Sequence, residues 1–193
     1  MLLVAFLIVG FELCAAEGAS TSPEKQPNIT LISRRSVNLV RKNATLKLIL
    51  YSSGIKHTYA LPKCMSSDFL KNISQGANRT LQIDDMNTNI SIRVTNGSGP
   101  ALNISSPTGK VPDILQDFYS ILHATPKHCI ILQAPHIPNY YEPQPPCVLL
   151  AFHRNYRCEG KFLDLCGAGD FVDLKECYNM TWNFKPEVEQ THK

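Results

Sequence analysis

Cysteine is the residue type in this chain with the most chemistry to offer. Seven are present, at Cys14, Cys64, Cys129, Cys147, Cys158, Cys166 and Cys177, beside six histidines. Thiolates attack carbonyls, ligate zinc or pair as disulfides. Zinc sites favour Cys-x-x-Cys or His-x₃-His spacings, and neither occurs here. His57, His123, His128, His136 and His153 are scattered along strand and turn patterns. There is no Gly-x-Ser-x-Gly elbow, no His-Glu-x-x-His and no phosphate-binding Gly-x₄-Gly-Lys loop. The acidic pair Asp84-Asp85 is adjacent in sequence, so on a strand its carboxylates point to opposite faces. The chain reads as a binding protein and not an enzyme, with no cofactor and no metal expected.

The cysteines therefore speak of compartment. Residues 2–11 form an uninterrupted apolar stretch, LLVAFLIVGF, followed by the small residues Ala15 and Ala16. This is the pattern of a secretory signal peptide spanning residues 1–16, too short for a membrane span. Cleavage after Ala16 removes Cys14 and leaves six cysteines, an even number suited to disulfides in an oxidising, extracellular setting. The end of the chain, residues 187–193, is polar, with no lipid-anchor signal. Six cysteines allow about 15 pairings, among which spacing alone does not choose.

Glycosylation sequons are dense. Asn-x-Ser/Thr occurs at Asn28, Asn43, Asn72, Asn78, Asn89, Asn96, Asn103 and Asn179, which is 8 of 13 asparagines. Chance predicts roughly 1.7 for this composition, so the excess argues for glycans on a secreted chain. Seven of the eight lie between residues 28 and 103. The front half is therefore expected to carry a sugar-covered outer surface, and the cysteine-rich back half to be bare.

The elements that must position these residues follow from periodicity. Of 193 residues, 44% are hydrophobic and 18% charged, with a net charge of +3. That balance fits a folded domain and not a dedicated nucleic-acid binder. Residues 17–27 are polar and read as a mobile arm. From residue 28 to about 136 the dominant period is two. Leu46, Leu48 and Leu50 alternate with polar positions, as do Leu81 with Ile83, Ile90 with Ile92 and Val94, and Leu102 with Ile104. These are half-buried strands, and they place Asn89 and Asn103 outward. Turns are expected at residues 53–54, 96–100 and 107–109, and a hairpin at 125–128. Residues 147–158, CVLLAFHRNYRC, are the one good helix pattern. The expected body is a single domain over residues 28–180, with a polar tail over 181–193. The expected class is all-β, an eight-stranded antiparallel barrel with one C-terminal helix, stapled by disulfides.

The order of these features resembles the tick salivary lipocalins over most of residues 36–177. The resemblance rests on Leu46-Lys47-Leu48-Ile49-Leu50-Tyr51 with Cys64 shortly after. It continues through the hairpin Tyr119-Ser120-Ile121-Leu122-His123 to Cys129-Ile130-Ile131-Leu132, and then Asn139-Tyr140-Tyr141-Glu142. Cys147 after a proline and a last Cys177 complete it. The general lipocalin Gly-x-Trp is absent, the lone tryptophan being Trp182, and Tyr141-Glu142-Pro143 stands where the family often has Glu-Leu-Trp. The resemblance implies a lipocalin-type barrel, monomeric and secreted, that sequesters a host mediator. It also implies the disulfides Cys64–Cys177 and Cys129–Cys147, leaving Cys158–Cys166 as a local clip. The alternative is Cys129–Cys158 with Cys147–Cys166.

Charge narrows the ligand. Residues 28–136 hold twelve Lys/Arg against five Asp and no Glu, a balance of +7. A pocket for a cationic amine needs buried carboxylates to offset the desolvation of the charge. The family's amine binders have an acid right after the hairpin cysteine, where this chain has Ile130. Both observations point away from histamine or serotonin. The inward stripes Leu48, Leu50, Leu81, Ile83, Ile90, Ile92, Leu102 and Ile104 instead suit an apolar ligand such as a fatty acid, a leukotriene or a sterol. The same stripes also suit a barrel filled by its own side chains. In that case the partner would be a host immune protein on the glycan-poor half. A basic run, Arg34, Arg35, Arg41, Lys42 and Lys47, has the charge to attract anionic glycans or membranes.

Overall fold

The computed structural model describes residues 28–53, 55, 64–84, 86–107, 118–134 and 143–181. The expected signal peptide (1–16), the arm (17–27) and nearly all of the tail lie outside these residues.

The described chain opens with a helix, where a period of two had suggested strands. α1 spans Ile29–Val40, and the Asn28 side chain caps it by accepting from the Leu31 N–H at 3.0 Å. The stripe Ser33, Ser36, Val37 and Val40 has helical spacing and is buried. Two of its members are serines, which hides the stripe from a hydrophobicity reading. Their hydroxyls donate to the Ile29 and Ile32 carbonyls four residues back, at 2.9 Å each, so they are buried without losing hydrogen bonds.

Ten strands follow: β1 Leu46–Ser52, β2 Met65–Ser67, β3 Phe69–Ile73, β4 Gly76–Ile83, β5 Met86–Asn96, β6 Pro100–Ser105, β7 Phe118–Thr125, β8 Cys129–Gln133, β9 Cys147–Ala151 and β10 Gly169–Phe171. Eight of them close an antiparallel barrel in the order β1-β2-β4-β5-β6-β7-β8-β9, with β9 pairing back onto β1. β3 continues β2 along β4, and β10 adds to the outside edge of β1. The longest ladder is the β4–β5 hairpin, from Gly76↔Arg93 to Ile83↔Met86. Gly76 is required there, because a Cβ would lie 1.9 Å from the Ile92 carbonyl oxygen. Closure removes sheet edges that would otherwise invite aggregation.

The helix expected over residues 147–158 is a correction. Residues 147–151 are strand β9, paired with both β1 and β8 (Leu48↔Leu150, Ile131↔Leu149). The run CVLLA is apolar at every position because both of its faces are covered, so it shows no alternation. The helix begins later. α2 spans Tyr156–Cys166, capped by Asn155, whose side chain accepts from the Arg157 and Cys158 N–H groups. A short α3, Leu174–Thr181, follows β10.

Two apolar clusters result. The inner one fills the barrel and reaches the underside of α1. The outer one lies between the β8–β9–β1 wall and α2, around Phe162, which is 0% exposed. The pairings Cys129–Cys147 and Cys158–Cys166 are also corrected. The structure joins Cys129 to Cys158 and Cys147 to Cys166, with Cys64 bonded to Cys177. Cys129 and Cys147 open neighbouring strands that run antiparallel, at opposite ends of the barrel, out of reach of each other. α2 spans that distance and presents one cysteine to each.

Candidate ligand cavity

One end of the barrel is closed. α1 packs against strands β4 to β8, and its C-terminus meets the buried guanidinium of Arg79. Arg79 shares the inward parity of Ala77 and Leu81 on β4 and is 0% exposed. Nε donates to the Ser67 hydroxyl at 3.0 Å. Nη1 donates to the Val40 and Lys42 carbonyls at 2.9 and 3.1 Å, and Nη2 to those of Ala44 and Ser67 at 2.6 and 2.7 Å. Five donor bonds thus match the five N–H groups of a guanidinium. Burial lowers its pKa to about 10, opposed by the nearby Asp68, so the group stays charged at neutral pH. Arg41 reinforces this floor by donating to the Ile73 and Gly76 carbonyls at 2.7 and 3.1 Å. Sequence reasoning passed over Arg79; its place two residues before Leu81 and four before Ile83 is the signal that could have found it.

At the opposite end strands β1, β6 and β8 finish and β2, β7 and β9 begin. The connecting residues 56–63, 108–117 and 135–142 lie outside the described residues. Between the floor and this end an inner space of about 40 Å³ remains, lined by Leu81, Ile90, Ile92, Ile104 and the side chains that face them. Those four were expected to face inward. Leu48 and Leu102 are buried in the same cluster, and half-buried Ile83 packs against it. Leu50 is a correction. A bulge in β1 between Leu48 and Leu50 turns both Ile49 and Leu50 outward, under α2. Tyr119, Leu132, Val148, Leu150 and Met65 line the space as well and were missed. Val148 and Leu150 were hidden by the helix assignment. No acidic side chain lines the space among the described residues, and Ile130 is 0% exposed in the inner core.

A larger hollow, about 450 Å³, lies outside the barrel between β1, β2, β4 and α3. It is lined by Lys47, Asp68, Gln82, Asp84 and the Cys64–Cys177 bridge, among others. Its walls mix charged and hydroxyl groups with the apolar Met65 and Leu174.

The outer surface bears the sequons. Asn28, Asn43, Asn72, Asn89 and Asn96 are exposed, and Asn78 and Asn103 are half-buried on the outward face of the β4–β6 wall. The Asn179 side chain lies outside the described residues. The Asn28 carbonyl oxygen accepts from the Leu31 N–H, so that bond leaves its amide nitrogen, which would carry sugar, unused; the Asn96 side chain lies against the Ser33 hydroxyl.

Among the histidines, His123 has a perturbed site. A second bulge, between Ile121 and His123, places it outward beside Ile131. Burial, and then the Lys161 and Arg35 cations, lower its pKa. His128 and His153 stack edge-to-face, with centroids 6.0 Å apart. No group of three or more His, Cys, Asp or Glu poised to hold a metal occurs among the described residues. No helix there is long and apolar enough to cross a membrane.

No protein-family model matches the sequence, and no curated protein matches it at the sequence level. The structure is similar to that of Japanin from Rhipicephalus appendiculatus bound to cholesterol. The TM-score is 0.50 at 17% sequence identity, over 69% of this chain and 94% of that one. The closed eight-stranded antiparallel wall, the helix packed outside it and this similarity together make the fold a lipocalin-type barrel.

Proposed function

We propose that this chain is a secreted lipocalin of the tick-saliva type. In this reading it binds and sequesters a small, mainly apolar host mediator, a fatty acid, an eicosanoid such as a leukotriene, or a sterol. Sequestration would modulate host inflammation, immunity or haemostasis. The observation that carries the reading is the aliphatic lining of the inner space, with no carboxylate to receive a cationic amine. The cholesterol of the structurally similar Japanin supports the same ligand class. The chain acts by binding, and no catalytic group is assigned.

At about 40 Å³ the inner space holds one or two water-sized molecules. Ordinary small-molecule sites run to roughly 300–1,000 Å³. A lipid therefore has to displace inner side chains, among which unbranched Met65 yields most easily. The same narrowness favours a second reading, in which the filled barrel acts as a protein-binding immunomodulator. Its binding surface would then be the sequon-poor half, residues 129–177.

The test is native mass spectrometry of protein secreted from eukaryotic cells and enzymatically deglycosylated, followed by organic extraction. One lipid per chain, displaced by cholesterol or a leukotriene and weakened by Ile92→Trp, is the expected result. Ligand-free protein that takes up no fatty acid, leukotriene or cholesterol overturns the first reading and leaves the second.

A further inference from the structure

The basic run seen in the sequence does not stay together in the fold. Arg41 turns to the Ile73 and Gly76 carbonyls, Arg35 lies near His123, and Lys47 lines the outer hollow. Lys42 of that run joins a different cluster, one that the fold assembles from three distant segments. Lys42 Nζ lies 4.5 Å from the centre of the Phe152 ring and donates to the Lys127 carbonyl at 3.3 Å. The Phe152 N–H donates to the His128 carbonyl at 3.2 Å, and His128 stacks against His153. Arg154 and Arg157 follow at the start of α2. Lys42, Lys127, His128, His153, Arg154 and Arg157 are all exposed. The acid found among them is Glu159, paired with Arg154 at 3.2 Å. The N-terminus of α2 points the same way and adds its own partial positive charge.

Among the described residues, acids gather toward the other end. Of the seven acids among the described residues, Asp84, Asp164, Asp170, Asp173 and Glu176 lie on segments tied to the end where β1, β6 and β8 finish. The described charges are thus polarised along the barrel axis, with a basic pole at the end closed by α1. We infer that this pole is a docking surface for a linear sulfated polysaccharide of the heparan sulfate class. Guanidinium forks and ammonium groups spread over three loops match sulfates spaced along a chain. A membrane fits less well, because surface binding to lipid needs apolar side chains to insert. Phe152 is covered by Lys42, and the exposed rings of Phe171 and Tyr156 are engaged by the Arg154 and Arg157 guanidiniums, at 4.0 and 5.7 Å from the ring centres. Docked in this way, the protein would be held at a cell surface by the end that α1 closes. The cavity takes no part, so a failure of lipid uptake leaves this inference intact.

The experiment immobilises heparan sulfate and measures binding of the intact glycosylated protein across a salt series. Four full cations predict a slope of log K against log salt of about −3. The triple variant Lys42→Glu, Lys127→Glu, Arg157→Glu should lose at least about tenfold in affinity near 0.15 M salt. The charge-matched control Lys71→Glu, Arg93→Glu, Lys175→Glu, on exposed positions elsewhere, should stay within about twofold of wild type. Thermal melts of both triples check the fold. Equal losses in the two triples would reduce the effect to net charge and overturn the inference. So would binding to phosphatidylserine vesicles without binding to heparan sulfate, or binding that appears only after the N-glycans are removed.

Discussion

On the β4–β6 wall the outward side chains are Asn78, Thr80, Asn89, Ser91, Arg93 and Asn103. On the β8–β9–β1 wall they are Ile49, Leu50, Ile131 and Leu149. The first wall faces solvent, and five of the eight sequons lie on it or on β3 beside it. The second is covered by α2, which is bonded to it at both ends by Cys129–Cys158 and Cys147–Cys166. One barrel therefore has a single-layered side, with its apolar groups all inward, and a double-layered side with a second core. The difference shows where the chain spends its cysteines. A helix of 11 residues packed on the outside of a sheet is marginal by itself, and two cross-links hold it in place.

The comparison makes its largest prediction at Phe162. Phe162→Ala should cost about 4 kcal/mol, because the ring fills the outer core and its removal leaves a cavity. Chemical denaturation checks this, and a loss under about 1 kcal/mol would mean that α2 is only loosely applied. Replacing the pair Cys147 and Cys166 by alanine should cost about 3 kcal/mol in the chain-entropy account. Amide exchange should then speed up in the last turn of α2 and leave β4–β5 protected; uniform loss of protection would sink the idea of two separable layers.

The third prediction concerns pH and belongs to the border of the covered wall. His123 has its pKa lowered in the folded state by burial and by the Lys161 and Arg35 cations. The folded state then binds the proton less readily than the unfolded state, so its contribution is complete above pH 6.5. That contribution is lost as pH falls through 6.5 towards the folded value. Melting temperatures should fall between pH 7 and pH 5 in wild type, and His123→Gln should flatten that slope. An unchanged slope in the variant would assign the pH effect elsewhere. The smallest effect is expected on the open wall. Asn89→Gln removes an exposed sequon and should change intrinsic stability by no more than about 0.5 kcal/mol in deglycosylated protein.

The two walls also explain how much was legible in the sequence. Where one face of a strand meets water, alternation survives in the residues, and Leu81, Ile90, Ile92, Leu102 and Ile104 were placed inward from it. Where both faces are buried, alternation vanishes. CVLLA then has the look of a helix, and the bulge that turns Leu50 outward leaves no trace in the order of residue types. The inner lining was therefore half visible, through β4, β5 and β6, while Val148 and Leu150 stayed hidden. α1 was obscured by a different cause, the two serines in its buried stripe. Arg79 was obscured because arginine is rarely buried, and only the carbonyls gathered from the end of α1, the turn after it and β2 make that position tolerable.

The bond between Cys64 and Cys177 was implied by the family resemblance alone. By itself the sequence determined an all-β barrel with a helix near its C-terminal end, a set of cysteines suited to disulfides, and an interior of aliphatic chains poor in carboxylates. These follow from local quantities: the alternation of residue types, the count of cysteines and the sum of charges. Only the tertiary structure decided which of the remaining cysteines meet, since the two alternatives differ in whether α2 lies along the wall or leaves it. It also dispersed one basic run and gathered another from Lys42, Lys127 and Arg154, because proximity across loops is set by how strands close into a barrel and not by their order in the chain.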